Sequence, residues 1–196
     1  MNKILKPGQG VLFMKVGKHA NEDLGDIIAR KRREIDDSGF AMWGYGGNTC
    51  HPTTMVQPFA SERAKAGGSI ILCMEPMESK HFAPPVRADE YSADGQTWLP
   101  IDAGINAVGS RYALLIEDLK EEEFDLPLAQ TEVAVGPNAG RVGGQYIQGR
   151  VDKACLVVRD EPMRVNDAKH ARSIPIRLTA TLKAPYAVFL RSNGGG

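Results

Sequence analysis

Cysteine, histidine and long apolar runs are scarce in this sequence, and each scarcity excludes a class of protein. The 196 residues include 3 cysteines and 4 histidines. The cysteines are odd in number and form no Cys-x-x-Cys pair, which argues against a disulfide framework and a structural zinc site. The histidines at 19, 51, 81 and 170 lack metal-ligand spacing. We therefore predict neither a metal site nor a bound cofactor.

No apolar run approaches the roughly 18 residues that a membrane-spanning helix needs. Residues 1–8 contain two lysines with no apolar run behind them, so no signal peptide is indicated. Three free thiols suit a reducing compartment. We therefore expect a cytoplasmic protein with no membrane contact.

The composition is that of an ordinary globular protein. Hydrophobic residues make up 42% of the chain and charged residues 24%. At this length one domain is the default. We predict a single domain over residues 1–192, followed by a disordered tail at 193–196.

The charge is balanced overall but segregated along the chain. Residues 1–74 carry 10 basic and 7 acidic side chains, residues 75–135 carry 4 and 13, and residues 136–196 carry 10 and 4. These counts give +3, −9 and +6, which sum to the net charge of zero. Either the acidic and basic parts offset each other on one surface, or the basic part forms a patch for phosphate or nucleic acid.

Residues 8–75 predict the order β-α-β-α-β. Short apolar runs at 10–17, 40–45 and 69–74 predict the strands. The first helix is predicted to begin at an Asn21 N-cap and to stop at Gly39. Lys31 fills one position of its apolar stripe, although the basic cluster 30–33 is expected to be solvated. The order favours parallel pairs with helical crossovers, and an α+β sandwich also fits.

The remaining chain predicts a long irregular connection at 76–110 and a mainly β part at 111–192. Asp94-Gly95 predicts a hairpin turn inside the connection. The acidic run 117–125 predicts a solvated turn or a short helix. Further strands are predicted at 112–116, 131–135, 153–158, 174–182 and 186–190. The predicted fold class is α/β or α+β, with a mixed sheet in one domain.

The loop 44–54 is the segment that points most clearly to a ligand. It follows a strand and precedes a helix, where open α/β sheets place ligands. Its glycines let backbone N–H groups turn toward a phosphate, and its hydroxyls add donors. We predict binding of a nucleotide or a nucleic-acid end, with Arg141 and Arg150 as helpers. The candidate ligand-binding residues of the loop are Tyr45, Gly46, Gly47, Asn48, Thr49, Thr53 and Thr54.

Two alternative functions stay open. Cys50 lies near a helix N-terminus, which favours the reactive thiolate, so a hydrolase or transferase with Cys50 as nucleophile and His51 as a catalytic partner is one alternative. Adjacent residues usually point apart, and His51 need not be the base. The other alternative is a protein–protein interaction module or inhibitor that uses loop 76–110 and the acidic run 117–125.

Overall fold

The protein is described by a computed structural model that covers residues 4–79, 82–149 and 151–193. Two residues discussed above, His81 and Arg150, lie outside the described residues. So do residues 194–196 of the predicted tail.

The described residues form ten strands and three α-helices. The strands are β1 (Gly10–Val16), β2 (Ala41–Tyr45), β3 (Ile70–Pro76), β4 (Glu90–Ser92), β5 (Leu99–Pro100), β6 (Tyr112–Ile116), β7 (Lys120–Pro127), β8 (Thr131–Val133), β9 (Lys153–Val158) and β10 (Ser173–Arg191). The α-helices are α1 (Leu24–Ser38), α2 (Gln57–Lys65) and α3 (Gly143–Tyr146). A π-helical turn, Pro52–Val56, runs directly into α2. The predicted β-α-β-α-β order of residues 8–75 is confirmed, and the protein is a single mixed domain of the α+β class.

The strands form one sheet in the order β2-β6-β10-β3-β1-β9-β8. β1 and β3 are parallel neighbours, whereas β2 lies at one edge of the sheet and pairs antiparallel with β6. The α+β alternative therefore describes the chain better than a doubly wound sheet. Apolar residues of β1, β2, β3, β6 and β10 face a common central core that also contains side chains of α1 and α2.

β10 connects the two parts of the sheet. The two strands predicted at 174–182 and 186–190 are one strand, and its 19 residues continue to Arg191. Its first half pairs with β3 on one side and β7 on the other, and its second half pairs with β4 and β6. A register shift between Leu182 and Ala187 accompanies the passage from one part to the other.

The pairing of β9 and β10 with strands of the middle third also brings the segregated charges together. Basic side chains of the last third contact acidic side chains of the middle third in four ion pairs, namely Arg159–Glu132, Arg177–Glu123, Lys183–Glu117 and Arg191–Glu90. Most of the acidic run lies in an edge strand, β7, and not in a turn or helix, whereas Glu117, which lies in a bend, and Asp118 precede this strand. The alternate residues Phe124 and Leu126 of β7 turn inward, and Glu121, Glu123 and Asp125 on the other face are exposed. Much of the charge offset is therefore built into strand pairing.

α1 ends as expected and begins later than expected. Gly39 has a φ of +80°, and its N–H donates to the carbonyl of Ile35 at 2.8 Å. The N-cap is Asp23, two residues after the expected Asn21, because Asn21 itself is in a left-handed turn with a φ of +65°. The predicted C′ glycine is thus confirmed and the predicted N-cap is wrong.

The basic cluster of α1 is partly buried, which contradicts the expected solvated helix end. The Lys31 ammonium lies 3.0 Å from the Glu34 carboxylate and donates to the carbonyl of Asn106 at 2.8 Å. Glu34 accepts the N–H of Asn106 at 3.0 Å, and Arg30 forms an ion pair with the same carboxylate. This network attaches the connection 101–108 to α1.

The connection 82–110 covers the outer face of β2, β6 and the second half of β10. Its residues Ala88, Ile101 and Ile105 contribute to a separate apolar core there. The predicted hairpin is confirmed, since β4 pairs with β5 around the Asp94-Gly95 turn. Backbone N–H groups of the turn donate to the Asp94 carboxylate at 2.7 and 2.8 Å and hold its pKa well below the usual value.

Candidate functional site

The segment 46–50 links β2 to the helix that starts at Pro52. Gly47 and Asn48 are exposed, whereas Cys50 is fully buried. Gly47 has a φ of +86°, a conformation that favours glycine, and Cys50 adopts the left-handed region with a φ of +57° although it has a side chain. The segment thus turns twice within five residues, which brings its backbone to the surface and its thiol into the core.

The backbone N–H groups of segment 46–50 point to a ligand because they lack partners in the part of the chain that the structure describes. Within the described residues, none of these five amides donates a hydrogen bond. The first helical turn is anchored by the N–H groups of Met55 and Val56, which both donate to the carbonyl of His51. The N–H groups of Thr53 and Thr54 have no acceptor among the described residues either, as expected at a helix N-terminus. Donors therefore accumulate at this end of the helix.

Lys153 places a buried ammonium beside these donors. Only 5% of its side chain is exposed, and its Nζ lies 2.8 Å from an Asp152 carboxylate oxygen. The same Nζ is 3.5 Å from the position that a Cβ on Gly47 would occupy. Lys153 lies on the same face of β9 as Cys155, which belongs to the central core. A charged group on this face is costly without a partner, and the partner that it has is half exposed.

Cys50 meets a second thiol rather than a histidine. Its Sγ lies 3.9 Å from the Sγ of Cys155, and both side chains are buried. The hydrogen bond to Cys50, together with burial, raises the pKa of Cys155 well above its ordinary value. The Cys50 carbonyl accepts the Tyr45 hydroxyl at 2.6 Å. Burial, reinforced by the two nearby thiols, raises the pKa of Tyr45, which keeps this hydroxyl protonated.

His51 belongs to an aromatic cluster on the other side of the segment. Its ring centroid is 5.7 Å from that of Tyr112 and 5.4 Å from that of Phe189. The Arg111 guanidinium lies 5.3 Å from the Tyr112 ring centroid. No described contact joins the His51 ring to the Cys50 thiol. The geometry therefore gives no specific support to a Cys50–His51 nucleophile and base, and the enzyme hypothesis stays a prediction.

The other candidate residues are spread around the segment. Asn48 and Thr54 are exposed, and Thr49 and Thr53 are half-buried. Arg141 is exposed, and no described contact joins its side chain to residues 44–54. The structure thus brings the loop residues together with Lys153 and leaves Arg141 without such a contact.

Three residues of the site's surroundings were not singled out from the sequence. Cys155 and Phe189 lie in strands more than 100 residues from the loop, so no local pattern relates them to Cys50 or His51. Tyr112 begins an apolar strand and has no motif around it. Lys153 is not one of these three, because it lies in the basic part of the chain, residues 136–196, for which a phosphate-binding patch was one interpretation.

The two described cavities lie away from this segment. The larger has a volume of about 460 Å³ and is lined mainly by apolar residues, including Phe40, Met42 and Ile105. The smaller, of about 70 Å³, lies between β7 and the end of β9. Among the described residues, no three His, Cys, Asp or Glu side chains are grouped to hold a metal ion, and no helix has the length and apolar character for a membrane span.

Comparison with known proteins gave no match: no family model, no curated protein and no solved structure resembles this chain significantly.

Proposed function

We propose that the protein binds a phosphate-bearing ligand, a nucleotide or a nucleic-acid end, at segment 46–50. The observation that carries this proposal is the coincidence of free amides with a buried ammonium. The amides of residues 46–50 have no acceptor among the described residues, and the Lys153 Nζ lies beside Gly47. Backbone donors together with a cation form the usual recognition chemistry for phosphate.

Lys153 supplies the electrostatic part of the interaction. An anion about 4 Å from its ammonium would gain about 4 kcal/mol at an effective dielectric constant of about 20. Asp152 already neutralises part of this charge, but its side chain is 51% exposed and can turn to solvent. The helix that begins at Pro52 adds a partial positive charge on the same side.

The aromatic cluster suits the base or sugar of a nucleotide. His51 and Phe189 are half-buried and adjacent to the segment, whereas Tyr112 is packed beneath them. Aromatic rings bind any base through stacking. Recognition of the phosphate is therefore expected to be stronger than discrimination among bases. Arg141 and Arg150 are proposed as secondary contacts to the phosphate.

Titration with inorganic pyrophosphate, AMP and ATP, followed by thermal unfolding and calorimetry, tests the proposal. The wild-type protein should be stabilised, and Lys153→Met and Gly47→Val should lose most of this stabilisation. Thr53→Ala should weaken it less, since only one donor is removed. Arg141→Ala should have the smallest effect, because no described contact brings its side chain to the segment.

Gly25→Ala is the control, because Gly25 lies at an exposed position of α1, outside the proposed binding segment. A Cβ on Gly25 would have no neighbour within 4 Å, and its φ is not positive, so the substitution leaves the backbone unchanged. This variant should bind as the wild type does. The proposed function would be contradicted if these ligands stabilised the wild type and Lys153→Met equally, or if they did not stabilise the wild type.

An interaction surface on the connection 76–110 is a second candidate function, and a specific observation favours it. The large hydrophobic residues that are exposed in the described part of the chain all lie in this connection: Met77 (45%), Phe82 (68%), Val86 (52%) and Leu99 (48%). Apolar side chains concentrated in one segment are typical of protein contact sites.

Point substitutions test this second function better than deletion of 83–100, which would remove β4 and buried Ala88. We expect sedimentation velocity to detect association with a second copy of the chain. Phe82→Ser combined with Val86→Ser should abolish that association and leave thermal stability unchanged. A wild-type protein that stays monomeric at high concentration would exclude self-association through this surface.

A further inference from the structure

Two of the three cysteines form an isolated thiol pair. Cys50 Sγ and Cys155 Sγ are 3.9 Å apart, and their side chains are 0% and 2% exposed. The third cysteine, Cys73, belongs to a different apolar core on the opposite face of the sheet. A disulfide has an S–S distance of about 2.05 Å, so the pair would have to close by about 2 Å.

The two thiols are held with very different rigidity. Cys155 lies in β9, which pairs with β1 on one side and β8 on the other. Cys50 ends a segment whose amides donate no hydrogen bond within the described residues. Its left-handed backbone costs about 1–2 kcal/mol relative to glycine, which further weakens this local structure. The Tyr45 hydroxyl holds the Cys50 carbonyl, but fewer hydrogen bonds hold segment 46–50 than β9. We therefore expect the segment rather than the strand to move, either to admit a small oxidant or to approach β9.

We propose that Cys50 and Cys155 form an intramolecular disulfide when the protein meets a peroxide. In the first step the Cys50 sulfur loses its proton and attacks one peroxide oxygen, an S–O bond forms, the O–O bond breaks, and the leaving hydroxide takes the Cys50 proton to become water. In the second step the Cys155 sulfur attacks the Cys50 sulfenic acid. The S–S bond forms, the S–O bond breaks, and the departing hydroxide leaves as water with the Cys155 proton. The two sulfurs together lose two electrons, and the peroxide is reduced to two molecules of water.

The disulfide would regulate the ligand site at segment 46–50, and this part of the inference rests on the proposed function. Closure of the pair draws the segment toward β9, two residues from Lys153. Gly47 already lies so close to the Lys153 ammonium that a shift of this size would change the space between the amides and the cation. The oxidised protein is therefore expected to lose phosphate binding.

The modification can be tested by treating the full chain with hydrogen peroxide and then unfolding it in the presence of N-ethylmaleimide. Peptide mass spectrometry then identifies the modified and the linked cysteines. Two of the three thiols should no longer react with N-ethylmaleimide. The peptides that contain Cys50 and Cys155 should be joined, with the loss of two hydrogen atoms. Cys73→Ala keeps the pair and should behave in the same way. Cys155→Ala should prevent the linkage; should it fail to fold, the Cys73→Ala result still decides.

Recovery of all three thiols, or a linkage that involves Cys73 or a second molecule, would overturn the inference. Pyrophosphate binding measured on the reduced and oxidised forms separates the two proposals. A disulfide without binding by the reduced form removes the proposed function and leaves the modification site. If the reduced form binds pyrophosphate but no disulfide forms, the modification site is removed and the proposed function remains. Equal binding by the reduced and oxidised forms refutes the regulatory role.

Discussion

The buried Lys31 makes a quantitative prediction about stability and pH. Its ammonium contacts Glu34 and the carbonyl of Asn106, and only 3% of its side chain is exposed. Burial, which outweighs the attraction of Glu34, lowers the pKa of Lys31 from 10.5 to about 8. The perturbation that tests this reasoning is Lys31→Met, which keeps most of the volume and removes the charge.

The sign follows from proton binding in the two states. Between pH 8 and pH 10.5 the unfolded chain holds a proton on Lys31 that the folded protein has released, so the free energy of unfolding rises with pH across this window. Below pH 8 the buried charge lowers the free energy of unfolding by its full and constant amount, and above pH 10.5 it no longer lowers it. The shift corresponds to about 3 kcal/mol, since each pKa unit is worth about 1.4 kcal/mol.

The assay is urea denaturation of wild type and Lys31→Met between pH 7 and pH 10.5. All other groups titrate in both proteins, so the difference between the two free energies of unfolding isolates Lys31. We expect this difference to be flat near pH 7 and then to change in favour of the wild type by about 3 kcal/mol. Lys18→Met, at a side chain that is 60% exposed, should give a flat difference throughout.

A Lys31→Met difference that stays constant to pH 10 would refute the reasoning. It would mean that the Lys31 ammonium is as well stabilised in the folded protein as in water, and that Glu34 and the Asn106 carbonyl compensate fully for burial.

Three further predictions concern the backbone and the hairpin. Gly39→Ala should lower the free energy of unfolding by about 1 kcal/mol, because the φ of Gly39 is +80°. Gly25→Ala, at an exposed position of the same helix, should raise the free energy of unfolding by about 0.5–1 kcal/mol. Chemical denaturation of both variants checks this contrast. Gly144→Ala should lower the free energy of unfolding by more than about 2 kcal/mol, since the new methyl group would meet the His170 carbonyl, and near-wild-type stability would contradict this packing. The Asp94 carboxyl should titrate at lower pH than an ordinary aspartate, which NMR of the turn amides can follow; titration at the ordinary pH would show that the turn hydrogen bonds do not form.

Local patterns predicted the N-terminal elements well. Alternation of apolar runs and turn residues was sufficient for β1, α1, β2 and β3, and Asp94-Gly95 was sufficient for the hairpin. These features depend on residues close together in the chain. The position of β2 beside β6, in contrast, depends on strands 70 residues apart, and no local pattern contains it.

The main errors arose where distant partners change the meaning of a residue. Lys31 was recognised as part of the apolar stripe, yet its burial required Asn106, which lies 75 residues away. The acidic run was expected to be a turn or helix, because its strand character depends on pairing with β10. Separate strands were expected at 174–182 and 186–190, whereas β10 continues through both.

The candidate site was predictable in its loop and not in its surroundings. The glycines and the strand–helix junction of segment 44–54 indicated exposed donors, and the described amides of residues 46–50 have no protein acceptor. The thiol partner of Cys50 and the ammonium beside Gly47 come from β9, about 100 residues further along the chain. Their position depends on the pairing of β9 with β1 and β8, which no local pattern contains.

The long β10 strand has a consequence for how the protein reaches its native state. Synthesis proceeds from β1 onward, and the strand that both parts of the sheet require is made after all the others. Nascent chains that end before residue 173 should therefore leave the edges of β3 and β6 open and expose apolar surface to proteases and chaperones. Cooperative folding should begin only when β10 has left the ribosome. Two separately produced halves of the chain should therefore reconstitute the native fold poorly.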